Sequence, residues 1–177
     1  TLDWEGRFST IFQINKISKT LQNLILSNYI NLKIINGHLS LDIEEMKDES
    51  LYKICDIIEW NGNTFWGEIA ECDLAIVPIE TNKSYFRSKG PNKIQLFNAV
   101  GLPYLASPIQ AYRNWTNLSG GGIICENEND WENAIISFLG NREKLSFYGL
   151  EGCRKAWEEC NSNVLTEKLK IELSKSE

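Results

Sequence analysis

Short apolar segments alternate with segments of helical periodicity along the whole chain, and this order restricts the possible folds more than any other feature. We predict strands at residues 2–5, 32–35, 56–60, 74–77, 103–106 and 121–125. The central segments are apolar at consecutive positions, which is typical of parallel strands covered on both faces. Because crossovers between parallel strands are right-handed, a doubly wound sheet is the default architecture. We therefore predict an α/β fold with a Rossmann-like, doubly wound parallel sheet and helices on both faces.

Helical periodicity and chain-breaking residues predict the helices between these strands. Residues 10–27 carry one apolar face, which consists of Ile14, Ile17, Leu21, Leu24 and Ile25. A helix that starts at Pro91 must end at Gly101, because proline suits a first helical turn and glycine suits a helix exit. Further helices are predicted at residues 65–71, 130–139, from 142 onward and 164–174.

Two segments between the predicted elements show no clear helical pattern. Residues 80–88 and 107–115 are therefore predicted to be loops at the carboxyl ends of strands. Trp131 and Trp157, in contrast, lie on apolar faces of predicted helices, and both are expected in the core.

Length and charge limit the kind of protein that this chain can be. With 177 residues, 42% of them hydrophobic, the chain suits one domain with a full core, so we treat residues 1–177 as a single domain. The net charge is -6, and lysine and arginine form no block. A nucleic-acid partner and a polybasic membrane patch are therefore not expected. No apolar run approaches the roughly 20 residues that span a bilayer, so no transmembrane segment is expected.

The cysteine content indicates the compartment and argues against a metal site. Five cysteines form no CxxC pair, and there is one histidine, so a zinc cluster is not expected. An odd number of unpaired cysteines favours a reduced, cytoplasmic environment. The chain starts at Thr1 rather than at methionine, which favours a fragment of a longer protein.

The first candidate ligand segment is Trp4-Glu5-Gly6-Arg7, which ends a predicted strand and enters a helical segment. Ligands of open parallel sheets bind beyond the carboxyl ends of the strands. Gly6 allows a phosphate to approach the backbone, and Arg7 can form a bidentate contact with it. The alternative is an ordinary turn with an exposed arginine.

The second candidate segment is Lys89-Gly90-Pro91-Asn92-Lys93, at the start of a predicted helix. Here two lysines and free backbone amides converge on the partly positive end of the helix. Cations at that end cost roughly a few tenths of a kcal/mol unless an anion compensates. Such a local conflict is more expected at a functional site than elsewhere. The alternative is a pair of solvated surface lysines.

Several motifs follow one another in the order of a known family. They are WEGR at residues 4–7, CDLAIVP at 72–78, KGPNKI at 89–94, NAVGLPYLASP at 98–108 followed by Tyr112, GGI at 121–123 and DWENAI at 130–135. Together they resemble the C-terminal domain of GT-B glycosyltransferases of the family 1/4 type. The match spans nearly the whole chain.

The resemblance implies that this domain holds a nucleoside-diphosphate sugar as glycosyl donor, with no further cofactor. The diphosphate would lie by Gly6 and Arg7 and by the helix start, and the base near Trp60. The helix-start contacts implied in this way are Lys89, Gly90, Asn92 and Lys93. In the family, the acceptor site and commonly the catalytic base belong to an N-terminal domain. The resemblance therefore implies a missing N-terminal domain or partner subunit, and it assigns no catalytic residue to this chain.

One position departs from the family pattern. Many members carry a glutamate that binds the donor ribose five residues before the glycine of the NAVGLP turn, where this chain has Leu96. Two hydrogen bonds to a charged group contribute roughly 1.5–3 kcal/mol each, so their loss weakens a donor by ~10²-fold or more. Two hypotheses therefore stay open: the donor-binding half of an enzyme, and a non-catalytic binding or scaffold module that has lost the donor site.

Overall fold

The structure is a computed structural model that describes residues 1–6, 12–37 and 50–174. The strands within these ranges are β1 (Leu2–Gly6), β2 (Leu32–Asn36), β3 (Asp56–Glu59), β4 (Leu74–Val77), β5 (Tyr104–Ala106) and β6 (Gly122–Ile124). A 3-10 helix, Phe12–Ile17, precedes the first α-helix. The α-helices are α1 (Ser18–Leu26), α2 (Phe65–Ala70), α3 (Ser84–Arg87), α4 (Asn92–Ala99), α5 (Gln110–Ser119), α6 (Glu128–Leu139), α7 (Arg142–Cys160) and α8 (Ser162–Ser174).

The strands form one parallel sheet in the order β3-β2-β1-β4-β5-β6. Every neighbouring pair is parallel, and Asp3 of β1 lies in register with Lys33 of β2 on one side and Ala75 of β4 on the other. The chain winds from β1 to β3 in one direction and from β4 to β6 in the other. The predicted doubly wound parallel sheet is confirmed.

The sheet separates two apolar clusters, because successive side chains of a strand point to opposite faces. On one face α1 and α6 cover the sheet, with buried side chains that include Leu2, Trp4, Leu21, Ile34, Trp131 and Phe138. On the other face α2, α4 and α5 cover it, with buried side chains that include Ile35, Ile69, Ala75, Val77, Phe97 and Trp115. Helices on both faces are therefore confirmed as well.

The helical segments differ from the sequence-based predictions in three places. Residues 12–17 form a 3-10 helix, in which Ile14 and Ile17 share one face because this helix has three residues per turn. The segment 80–88 contains the single turn α3, which is too short to show a periodicity. The segment 107–115 contains the start of α5, whose buried residues Tyr112, Trp115 and Ser119 have helical spacing. The prediction of loops at these last two segments was wrong in both cases.

The two tryptophans that we expected in the core have different environments. Trp131 is 1% exposed, whereas Trp157 is 62% exposed and its indole nitrogen donates a 3.2 Å hydrogen bond to the carbonyl of Ala99. The neighbouring Ala156 takes the buried position of α7. Adjacent helix residues point about 100° apart, so the prediction for Trp157 was wrong by one position. In the described part of the chain, no helix has the length and apolar content needed to cross a membrane.

Candidate functional site

The carboxyl ends of β1 and β4 enclose a cavity of about 250 Å³. These two strands are neighbours, and the chain winds away from them in opposite directions. Ligands of open α/β sheets bind at such a switch point. The cavity, which we call the lysine cavity, is lined by Trp4, Gln13, Val77, Pro78, Ile79, Lys89, Gly90, Asn92, Lys93 and Tyr112.

Four of the sequence-predicted ligand residues meet in this cavity: Lys89, Gly90, Asn92 and Lys93. Asn92 and Lys93 begin α4, and Pro91 takes its N-cap position without a side-chain cap among the described residues. The first amides of a helix have no partner within the helix, so they are available to an anion. Two lysines and the uncapped start of a helix therefore line one cavity.

A buried serine fixes the loop that carries one wall of the cavity. The Ser107 hydroxyl accepts a hydrogen bond from the backbone N–H of Ile79 at 2.7 Å, and the Ser107 N–H donates to the carbonyl of Val77 at 3.1 Å. Ser107 is fully buried and directly follows β5. The end of β5 thereby holds the chain after β4 in place.

Lys93 is tied to the end of β1. Its ammonium group donates a hydrogen bond to the backbone carbonyl of Glu5 and lies 3.4 Å from the Glu5 carboxylate. The same group lies 5.5 Å from the centre of the Trp4 ring. Part of the Lys93 charge is therefore already compensated by the protein.

Lys89 is the less compensated of the two cations. Its ammonium lies 5.1 Å from the centre of the Phe86 ring, and it has no ion pair with any residue that the structure describes. Burial lowers the pKa of Lys89 below its ordinary 10.5, and repulsion by Lys93 lowers it further. A bound anion would oppose both effects, because a nearby negative charge stabilises the charged form of the lysine.

Six further residues of the cavity were not predicted as ligand contacts, among them Trp4, Tyr112 and Gln13. Trp4 and Tyr112, each 2% exposed, form apolar walls, and burial raises the pKa of Tyr112 above its ordinary 10.0. Both residues belong to the motifs that resemble the glycosyltransferase family. Their positions in or beside predicted ligand loops were the sequence feature that could have identified them as cavity residues. Gln13 is 4% exposed. In the sequence, its position beside the apolar face of the predicted helix was the one feature that could have indicated its burial.

The remaining predicted contacts lie elsewhere. Gly6 ends β1 next to Glu5, the partner of Lys93, but it is not among the lining residues. Trp60 follows the edge strand β3, is 49% exposed and packs against Phe65, with ring centres 6.0 Å apart. It does not line the lysine cavity either. Arg7 lies outside the described residues.

Leu96, which occupies the position of the family glutamate, packs against the apolar cluster beneath α4. It is not among the residues that line the lysine cavity. A hydrocarbon side chain in that environment contributes to the core and offers no hydrogen bond to a ribose.

Comparison by sequence alone gives no relative. No family model matches the chain, and no curated protein matches it.

Comparison of structures gives clear matches to glycosyltransferases. HepE from Anabaena, solved in complex with UDP, superposes with a TM-score of 0.73 at 12% identity, over 98% of this chain and 48% of its own. A glycosyltransferase from Rickettsia africae gives 0.71 at 14% identity, over 96% and 46%. WaaG, a glycosyltransferase involved in lipopolysaccharide biosynthesis, gives 0.66 at 10% identity, over 92% and 43%.

The chain spans less than half the length of each of these structures. At this low identity the matches establish the fold. The chain has the fold of the C-terminal domain of GT-B glycosyltransferases.

Proposed function

We propose that this chain is the donor-binding domain of a glycosyltransferase, and that the lysine cavity holds the diphosphate of a nucleoside-diphosphate sugar. The observation that carries the proposal is the meeting of Lys89, Lys93 and the first residue of α4, Asn92, in one cavity. Lys89 has no ion pair within the described ranges, so the cavity lacks the negative charge that would balance it. A diphosphate supplies that charge together with several acceptor oxygens.

The comparisons support this choice of ligand. HepE was solved with UDP and with UDP-glucose, and its fold covers 98% of this chain in both cases. The ligand-binding switch point of a doubly wound sheet is also where the lysine cavity lies. Gly6, Arg7 and Trp60 remain predicted contacts, the first two for the diphosphate and Trp60 for the base.

We further propose that glycosyl transfer needs a second domain or subunit, which contributes the acceptor site. This chain corresponds to 34–48% of the length of its structural neighbours. On this proposal the isolated chain binds donor but transfers no sugar. We infer bacterial polysaccharide biosynthesis as the process, in view of the described role of WaaG, and a reduced cytoplasmic compartment, since the five cysteines are free thiols.

A non-catalytic binding or scaffold module is the second candidate. Leu96 favours it, because this partly buried side chain packs against the apolar cluster where the family pattern has a ribose-binding carboxylate. The two candidates differ in one measurable property, which is the affinity for a nucleoside diphosphate.

Calorimetric titration with UDP, GDP, ADP and TDP tests the proposal. We expect at least one of them to bind with a Kd in the millimolar range or below, and Lys89→Ala to weaken it about 10-fold, because a hydrogen bond to a charged group is lost. Lys93→Ala and Arg7→Ala are expected to weaken binding as well. Lys89→Ala is the cleaner of the two cavity variants, since Lys93→Ala also removes the partner of Glu5.

Lys144→Ala is the matched control. Lys144 also lies over a phenylalanine ring, 4.7 Å from the centre of Phe138, but it does not line the lysine cavity. We expect this variant to bind as the unaltered protein does. If none of the four nucleotides gives heat up to millimolar concentration, the scaffold hypothesis replaces the donor-binding one.

A further inference from the structure

Gln13 is a buried side chain with an unused hydrogen-bond donor. It belongs to the 3-10 helix, is 4% exposed, and its Nε2 has no hydrogen-bond partner among the described residues. A buried amide without a partner destabilises a fold, and most buried polar groups in proteins are paired. Nε2 is also closed to solvent, so a ligand becomes its partner only if the amide group turns toward it.

The position of Gln13 indicates which ligand this is. Gln13 lines the lysine cavity, and it also lines a second cavity of about 350 Å³. The other residues of this second cavity are Phe12, Lys16, Glu80, Thr81 and Asn82. Gln13 is therefore shared by the walls of the two cavities.

The second cavity has a different chemistry from the lysine cavity. It contains one cation, Lys16, and one carboxylate, Glu80, so its charges nearly balance. The Lys16 ammonium donates to the carbonyl of Ile79 at 3.3 Å. Burial lowers the pKa of Lys16, and Glu80 opposes that effect. Outside the cavity, Glu80 also lies 3.4 Å from Lys83.

The neutral groups of the second cavity suit a polyhydroxylated ligand. Thr81 and Asn82 offer both donors and acceptors. The Phe12 ring is 42% exposed and is held by an edge contact to Phe86, with ring centres 6.0 Å apart. An apolar surface with a few convergent polar groups is the usual composition of a small-molecule site.

We propose that Gln13 is a specificity-determining residue, whose side-chain amide turns toward the second cavity and donates a hydrogen bond from Nε2 to an oxygen of an uncharged sugar held there. The diphosphate of the same donor then lies in the lysine cavity. This inference rests on the proposed function. It adds that the transferred sugar is uncharged and that Gln13 recognises it.

The first test is a stability measurement that needs no ligand. Methionine is close to glutamine in size but has no amide, so Gln13→Met removes the unpaired donor. We expect the melting temperature of the unliganded chain to rise by roughly 2–4 °C. Gln22 is the control, since its amide donates to the Ser50 hydroxyl at 2.7 Å, and Gln22→Met is expected not to raise it. A fall in melting temperature for Gln13→Met means that Gln13 has a structural partner, and it overturns the inference.

The second test compares each of UDP, GDP, ADP and TDP with its glucose conjugate. We expect the unaltered chain to bind a conjugate more tightly than the parent diphosphate. Gln13→Met should weaken the conjugate about 10-fold and leave the diphosphate within about twofold, because only the sugar loses a hydrogen bond. Gln22→Met should change neither affinity.

The outcomes separate the inference from the proposed function. If diphosphates bind but Gln13→Met weakens the conjugates no more than their parent diphosphates, the role of Gln13 is wrong and the proposed function stands. If no diphosphate binds the unaltered chain, the proposed function fails and the inference fails with it.

Discussion

At the scale of single residues, β1 places two carboxylates on the face of the sheet that α4 covers. Glu5 is paired with Lys93, as described above. Asp3 is fully buried, and neither of its carboxylate oxygens has a hydrogen-bond partner in the described part of the chain. The pKa of Asp3 is raised from an ordinary 3.8 to about 7: burial is the largest cause, the charge of Glu5 adds to it, and the charges of Lys93 and Lys33 oppose it.

This environment predicts that the protein loses stability as pH rises through the range in which Asp3 ionises. Between about pH 4 and pH 7 the folded state binds the Asp3 proton and the unfolded state does not. The free energy of unfolding should therefore fall by up to about 1.4 kcal/mol per pH unit in that window, and it should level off above the folded pKa. Urea denaturation across this range measures the slope.

Asp3→Asn should remove the slope, because the amide does not ionise. Asp56→Asn is the control, since Asp56 is an exposed aspartate in β3, and it should keep the slope of the unaltered protein. If Asp3→Asn has the same pH dependence as the unaltered chain, another group is responsible.

The sequence predicted part of the site at this scale. Lys89 to Lys93 were found because their conflict with a helix start is local and can be read from neighbouring residues. Gln13 was not found, because its role depends on two cavities formed by residues far apart in sequence. Asp3 was missed for the same reason: a carboxylate in a short strand gives no sign of how completely it is buried.

At the scale of elements, α7 lies close to α4 and β6 because two of its residues are glycines. A Cβ atom added to Gly152 would lie 2.3 Å from Nδ2 of Asn98 and 2.9 Å from the Cα of Gly121. Asn98 is itself fixed, since it donates to the carbonyl of Gly121 at 3.1 Å and accepts from the Trp115 indole at 2.9 Å. The helix that carries Lys93 is therefore held by a tightly packed contact on the side of α7.

Gly152→Ala is predicted to destabilise the protein by about 1–3 kcal/mol, because the added methyl group has no space in this contact. Gly67→Ala is the matched control. Gly67 also lies within a helix, but nothing lies within 4 Å of a Cβ atom added to it, so this variant should be neutral or gain about 0.5–1 kcal/mol from helix propensity. Thermal denaturation of the two variants tests this prediction. Equal melting temperatures would contradict it, because they would mean that the contact accommodates the added methyl group without loss of stability.

Strands were easier to predict than helices in this chain. An apolar segment such as Leu74–Val77 can be read directly, because it is buried on both faces. The turn α3 and the start of α5 were taken for loops, since a single helical turn has no period and the apolar residues of α5 are few and large. Trp157 was placed in the core because a long helix such as α7 permits several apolar faces, and the choice between them depends on tertiary packing.

At the scale of the whole molecule, the winding of the sheet determines where the lysine side chains can bind an anion. The order β3-β2-β1-β4-β5-β6 leaves a gap above β1 and β4, and α4 directs its first turn into that gap. The alternation of strands and helices was enough to predict this architecture. The sequence could not predict the second cavity, which is formed by side chains of the 3-10 helix and of the chain that follows β4.

The central claim is that a nucleoside diphosphate binds at this gap, and amide chemical shifts of the 15N-labelled chain test it most directly. On titration with the diphosphate that binds, we expect the largest shift changes at Ile79, Gly90, Asn92 and Lys93. The opposite end of the sheet has a cavity of about 230 Å³ beside Gly101, Arg142 and Ser146, and the amides there should not respond. Shift changes confined to that opposite end, with none at the start of α4, would contradict the account.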